Sequence, residues 1–385
     1  MYSNLRRVAK TKNRYTKAPA LHVYRMRDMR IGIKRISRIL FMCKAGAFVY
    51  RFFVLAILFR FEYMQSWQPT TTHEARVARA ELLRTIREFF YARNVLEVDT
   101  PLLSNGTVTD EHLDAFDTQF NCASSGKPTT LHLQTSPEYA MKRLLCADSG
   151  SIFQVCKAFR HEGEGRWHNP EFTMLEWYRL DFDHFALMDE VDALLQETLN
   201  TASADKMTYQ QAFQTYLNID PLSADGDVLL KAMEEQNIDI HAPQNLSYDS
   251  KLQLLFSYVI EPEIGNEKPC FIYDFPASQA ALAKLSPVDE RVAERFEVYY
   301  QGAELANGFH ELSAAKEQRL RFETDNEKRR EHGLPTKPID ENFLSALDAG
   351  LPPCAGVALG IDRLLMLKTN AKHIQGVINF TVSRA

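Results

Sequence analysis

Two β-rich runs, 152–159 and 172–178, flank a polar stretch from Arg160 to Pro170. That pattern reads as two antiparallel strands joined by a long loop, and it sets the fold class. A helix is expected first, over 72–93: Leu82, Leu83, Ile86, Phe89 and Phe90 recur at helical spacing behind a Thr71-x-x-Glu74 capping-box pattern. Short strands follow at 95–98 and 131–134, with a helix over 138–147. Beyond the hairpin come helices near 184–200, 208–216, 226–237 and 249–259. Strands are expected at 270–275, 293–300 and 304–312, then charged helices at 314–332 and 340–349. A Gly-rich strand enters a last helix over 356–367. The sum is an α+β domain: an antiparallel β-sheet flanked by helices, with a helical insertion near 184–260.

Charge divides the chain more sharply than composition does. Residues 1–63 carry 15 Lys and Arg against Asp28 and Glu62, a net of +13; residues 64–385 carry 30 basic and 48 acidic residues, a net of −18. The seam separates a basic N-terminal extension, expected to be poorly ordered or to precede the functional start at Met64, from a catalytic domain over 64–385. The longest clean apolar run of the extension, 52–59, is far short of the roughly 20 residues of a spanning helix, so no membrane partner is expected, the alternative being that this Arg-rich, acid-poor segment is a membrane-surface or RNA-binding tail. The six cysteines (43, 122, 146, 156, 270 and 354) form no C-x-x-C pair. They read as reduced thiols of a cytoplasmic protein without a zinc site.

Three segments carry candidate chemistry. In Phe159-Arg160-His161-Glu162, the Arg can fork donors onto a phosphate. Glu162, two residues on along the same strand face, can accept from an adenine amino group. Asn169 and Phe172 lie just beyond, and Phe172 could stack on a base. Alone, R-x-E is more often a surface salt bridge. In Glu304-Leu305-Ala306-Asn307-Gly308-Phe309-His310-Glu311, two carboxylates can face a phosphate-bound cation, or the Asn-Gly can simply turn between two strands. In 356–364, Gly356, Ala358 and Gly360 permit close backbone approach before Arg363, or serve packing.

Order and spacing join these pieces. Pro101 in Glu97-Val98-Asp99-Thr100-Pro101, F-R-H-E at 159–162 and G-I-D-R at 360–363 resemble motifs 1, 2 and 3 of the class II aminoacyl-tRNA synthetases. E-L-A-N-G at 304–308 and Thr135-Ser136-Pro137-Glu138 resemble the lysyl subgroup. The resemblance covers essentially all of 64–385. It implies ATP and Mg²⁺ as cofactors, with Arg160, Arg363, Glu304 and Glu311 catalytic. ATP would be held by Arg160, His161, Glu162, Asn169, Phe172, Glu304, Leu305, Gly360 and Arg363, and Mg²⁺ by Glu304 and Glu311. A lysine-like substrate would meet Ser136, Pro137, Glu138, Tyr178, Asn307, Glu311 and Ala358, with Glu176 a further candidate. Ser136-Pro137-Glu138 is also a plain helix start, with Ser as N-cap. Motif 1 in this family usually forms a homodimer interface.

The chain departs from the lysyl pattern in having Ala358 for the middle motif 3 glycine and His161 for the usual Asn. The first 63 residues show no run of five alternating strands for an anticodon-binding OB domain. In this the chain resembles the truncated paralogues that attach lysine or β-lysine to translation elongation factor P, and stable tRNA binding is not expected. The 67–69, 175–178, 220–225 and 275–279 segments carry the same likeness. The alternatives are a tRNA-charging lysine ligase without an anticodon domain, a catalytically silent synthetase-like regulator, and an asparagine-synthetase-like ligase.

Overall fold

The computed structural model describes residues 67–121 and 128–385. The basic extension, its seam at 63/64, Cys43 and Cys122 lie outside the described residues. Thr70–Val382 cluster as one compact unit.

Helix α1 (His73–Tyr91) leads into short strands β1 (Leu96–Glu97) and β2 (Leu103–Ser104). Its N-cap is Thr72, whose hydroxyl accepts from the Ala75 N–H at 3.2 Å. The expected cap, Thr71, instead bonds the Asn379 side chain. Strands β3 (Asp117–Asn121) and β4 (Pro128–Leu133), helix α2 (Glu138–Leu145), and the long pair β5 (Ile152–Phe159) and β6 (Glu171–Leu180) follow. After α3 (His184–Leu199) and β7 (Asp205–Thr208) come α4 (Tyr209–Leu217), α5 (Gly226–Glu235) and α6 (Tyr248–Leu255), the last running into a π turn over Phe256–Ile260. Strands β8 (Cys270–Pro276), β9 (Val292–Tyr300) and β10 (Ala303–His310), helices α7 (Ala315–Glu331) and α8 (Glu341–Gly350), strand β11 (Cys354–Gly360) and helix α9 (Ile361–Lys368) complete the chain.

Eight strands form one sheet in the order β1-β5-β6-β11-β10-β9-β8-β7. It is antiparallel from β5 to β8, with β1 and β7 parallel to their neighbours at the edges. A three-stranded sheet, β2-β4-β3, stands apart. Alternation gives the large sheet two unlike faces. One presents Phe153, Leu175, Trp177, Phe296, Val298, Val357 and Leu359 to α1, α3 and α9, and this is the main core. Phe90 stacks on Phe153 with ring centroids 4.6 Å apart. The opposite face carries the polar side chains discussed below.

Two expectations change. Helix α3 packs into the main core, so the inserted module is α4–α6, whose own core gathers Tyr209, Phe213, Phe256 and Phe275. Asn307-Gly308 is no turn. It sits within β10, opposite Glu297 and Phe296 of β9. Gly308 is required by packing: a Cβ there would lie 2.4 Å from the Phe296 ring and 2.9 Å from Val357 Cβ. Gly308→Ala should therefore cost about 1–3 kcal/mol of stability, read as a lower denaturation midpoint. An unchanged midpoint would contradict this account of the sheet.

Candidate active site

The polar face of the sheet assembles the site in rows, because residues opposite each other on neighbouring strands share a face. One row runs Gln154, Glu176, Ala358, Asn307 and Glu297 across β5, β6, β11, β10 and β9. The next runs Ile152, Tyr178, Gly356, Phe309 and Arg295. Glu304 would point the wrong way in a regular strand, since three residues separate it from Asn307. A register shift between Glu304 and Ala306 adds one residue and turns Glu304 to the face of Asn307. Beside these rows lies a cavity of about 970 Å³ lined by Ser136, Glu138, Arg160, Arg295, Asn307 and Ala358, among others.

One end of this face is rich in carboxylates. Lys142 of α2 is fully buried and touches Glu138 at 2.6 Å and Glu311 at 2.5 Å. Glu176, also buried, accepts from the Tyr178 hydroxyl at 2.7 Å and leaves its second oxygen unpartnered. Two carboxylates thus share one buried cation, and a third, Glu176, lies within its field. Burial pushes Glu176 up to about 8, with Glu138 adding to the rise. Burial also lifts Glu311 to about 8, opposed by Lys142. Lys142, shared between two acids, is held above its ordinary value despite its own burial. Gly356 makes room here, since a Cβ would fall 2.3 Å from the Tyr178 ring and 2.5 Å from Glu311.

The other end is rich in guanidinium. Arg160 follows β5, and its charged group lies 5.2 Å from the Phe172 ring centroid. Its buried Nε has no hydrogen-bond partner. Burial lowers its pKa; Glu162 opposes the fall and the like charge of Arg363 adds to it. Arg363 of α9 donates to the Glu304 carbonyl at 2.6 Å and lies 3.7 Å from the Glu304 carboxylate. Its other terminal nitrogen is 2.9 Å from His168 Nε2. The F-R-H-E and G-I-D-R segments, some two hundred residues apart, therefore converge on one positively charged corner. Gly360 leaves space beside it, since a Cβ there would meet nothing nearer than Arg363 at 3.6 Å.

Several expected ligands have other work. Asn169 donates to the Glu171 carbonyl and accepts from the Val382 N–H, so its amide ties the motif 2 loop to the C-terminal segment. Leu305 is buried in the main core, and only its backbone lies near the site. His161 packs its ring against Phe116, 4.8 Å between centroids. Pro137 is a buried helix start, and Ser136 Oγ accepts from the Glu138 N–H at 3.0 Å, a cap-type bond.

The expected metal pair Glu304 and Glu311 is not brought together. Both lie along one strand direction, seven positions apart, which is roughly 20 Å at about 3.3 Å per residue, and Glu311 is committed to Lys142. The acid near Glu304 is Glu297 of β9, which lies on the same face. Burial raises Glu297 to about 7, and the Glu304 charge adds to that rise. Arg295, Tyr299 and Asn307 all bond Glu297. Lys142, Arg295 and Glu297 were missed in the sequence. For Arg295 and Glu297 the available signal was charge inside a strand-like run, 292–300, because buried charges must be paired.

Residues 55–384 match the family described as tRNA synthetases class II (D, K and N). The chain is similar to an elongation factor P--(R)-beta-lysine ligase of Salmonella dublin, at 56% identity over 320 residues, 83% of this chain and 98% of that protein. Proteins of the same name from Salmonella paratyphi B and Salmonella heidelberg match at 55% over the same shares. With the F-R-H-E and G-I-D-R segments meeting at one largely antiparallel sheet, the chain belongs to the class II tRNA synthetases (D, K and N).

Proposed function

We propose that this chain is an ATP-dependent ligase that activates (R)-β-lysine or lysine as an adenylate and transfers the acyl group to the ε-amine of a lysine on elongation factor P. The observation that carries the proposal is the polarity of the site: guanidiniums at one end, and a surplus of buried carboxylates at the other. A triphosphate and a diammonium acid supply the complementary charges. The acceptor comes from the name of the 56% identical relatives. The net of −18 on residues 64–385 favours a basic protein partner over a nucleic-acid backbone.

In the first step the substrate carboxylate attacks the α-phosphorus and pyrophosphate leaves. Negative charge gathers at phosphorus, where Arg160 with its unpartnered Nε acts, while Arg363 meets the far phosphates. Gly360 lets the nucleotide come close, and Glu162 and Phe172 hold the base. Glu297 and Glu304 would hold Mg²⁺, a cation that neutralises phosphate charge in such reactions. Glu138, Glu176 and Glu311 hold the substrate ammoniums, Tyr178 and Ser136 orient that cluster, and Ala358 narrows its floor. In the second step the acceptor amine attacks the acyl carbon, the acyl–phosphate bond breaks and AMP leaves. We extend the proposal to a cytoplasmic homodimer without stable tRNA binding. No helix among the described residues is long and apolar enough to cross a membrane. Exposed Val77, Tyr91, Leu96 and Leu103 around motif 1 suit a subunit contact.

Arg363→Ala and Arg160→Ala should each lower ATP–pyrophosphate exchange by about 10²–10³ with little change in thermal stability; near-normal exchange in either would remove the anion-site assignment. Binding of an ammonium requires ionised Glu176 and Glu311, whose pKa values burial raises to about 8. Protons compete below that value, so the KM for the amino acid should fall as pH rises from about 6.5 to 8, and a KM flat over that window contradicts the assignment. With ATP, (R)-β-lysine and elongation factor P, intact mass spectrometry should show one acyl addition. Acylation of tRNA alone would instead indicate a tRNA-charging enzyme.

A further inference from the structure

A second polar cluster lies on the core-side face of the sheet, away from the cavity. Beyond the pair Phe309↔Arg295, strands β9 and β10 part and the segment 282–286 threads between them. The Lys284 N–H donates to the His310 carbonyl, and the Glu294 N–H donates to the Lys284 carbonyl, each at 3.0 Å. Glu294 and His310 thereby project side by side, with His310 Nδ1 2.6 Å from the Glu294 carboxylate. Helix α3 brings its first residue, His184, over the pair. The nitrogens and carboxylate oxygen of His184, Glu294 and His310 lie within 4.8 Å of one another. Asp274 of β8 approaches His184 Nε2 at 3.7 Å. None of these four residues lines the cavity of the candidate active site.

His184 is the telling residue. It is 4% exposed, yet neither ring nitrogen has a hydrogen-bond partner. A buried polar group left unpaired costs about 1–3 kcal/mol, and native proteins answer such groups with water or an ion. Two imidazoles and one carboxylate form a donor set suited to a borderline divalent ion, with a fourth position left for water. Ligands at roughly 2.1 Å in a tetrahedron stand roughly 3.4 Å apart, so the Glu294–His310 pair must open from its 2.6 Å contact and His184 must shift inward to complete the geometry. Lys284, 3.4 Å from both Glu294 and His310, occupies the place of the cation. Its side chain is 35% exposed, so it can swing into solvent and open a way in.

We propose that His184, Glu294 and His310, with Asp274 beside His184, form a zinc-type divalent metal site that pins the start of α3 to the ends of β9 and β10. The site is structural, and Lys284 competes with the metal for it.

The test is equilibrium binding of Zn²⁺ alone to the full-length, chelator-treated protein with its thiols kept reduced, read by metal analysis and by thermal shift. About one zinc per chain should bind, and His184→Gln or Glu294→Gln should weaken it by roughly 100-fold or more. Zinc should raise the melting temperature of the parent protein and not of these variants. Lys284→Met, which keeps bulk and removes the competing charge, should bind zinc several-fold more tightly. If a ligand variant fails to fold, Lys284→Met still decides, because only a site at this cluster responds to that charge. Absence of zinc binding, or binding equal in the parent, His184→Gln, Glu294→Gln and Lys284→Met proteins, overturns the proposal and assigns any bound metal to the thiols or the catalytic carboxylates.

Discussion

Three neighbouring carboxylates, two of them paired with the one buried ammonium, set the terms for everything else in the site. Glu138, Glu176 and Glu311 cannot all ionise against Lys142 alone without leaving uncompensated charge in a poorly hydrated place. Such a cluster persists if protons fill the deficit in the resting protein and a cationic ligand fills it in the working one. The raised pKa values of Glu176 and Glu311 express the first half of that statement. The proposed substrate, with two ammonium groups, expresses the second.

The sheet turns that local demand into a directed reaction site. The central polar residues are positioned by strand register, so the carboxylate cluster and the arginine corner keep a fixed relation. The bulge in β10 decides the outcome, because without it Glu304 would face the hydrophobic core. Arg79 and the backbone of Thr173 both bond Asp362, which fixes the start of α9 against α1 and β6 and so aims the adjacent Arg363. Gly356 and Gly360 do different work despite their spacing. The first makes room for Tyr178 and Glu311, and the second leaves open space beside Arg363.

The elements with strong periodicity were legible in sequence. The β5–β6 hairpin, α1 and the passage from strand to helix within 356–367 lie where their patterns put them. The three-stranded sheet was not legible, because β3 is exposed along its whole length and carries no alternation to read. Within the site, Arg160, Arg363 and Glu304 were visible through motif spacing, and the structure gathers them. The partner of Glu304 was misread. Sequence distance along β10 suggested Glu311, whereas the near acid comes from the neighbouring strand, a relation that only register reveals. Lys142 escaped for a similar reason: on its own sequence it is one more charge on an amphipathic helix. Its meaning lies in Glu311, which reaches it from β10, more than 160 positions away.

The most direct test of the charge-deficit account is calorimetric titration of the ATP-free protein with lysine near pH 7 in two buffers of different ionisation enthalpy. Filling the pocket with an ammonium should force protons off the buried carboxylates, so the observed heat should depend on the buffer and report net proton release, a sizeable fraction of a proton per lysine bound. Heats that agree between buffers, or that report proton uptake, would mean the acids are already ionised in the resting protein and that the pocket is not waiting for a cation.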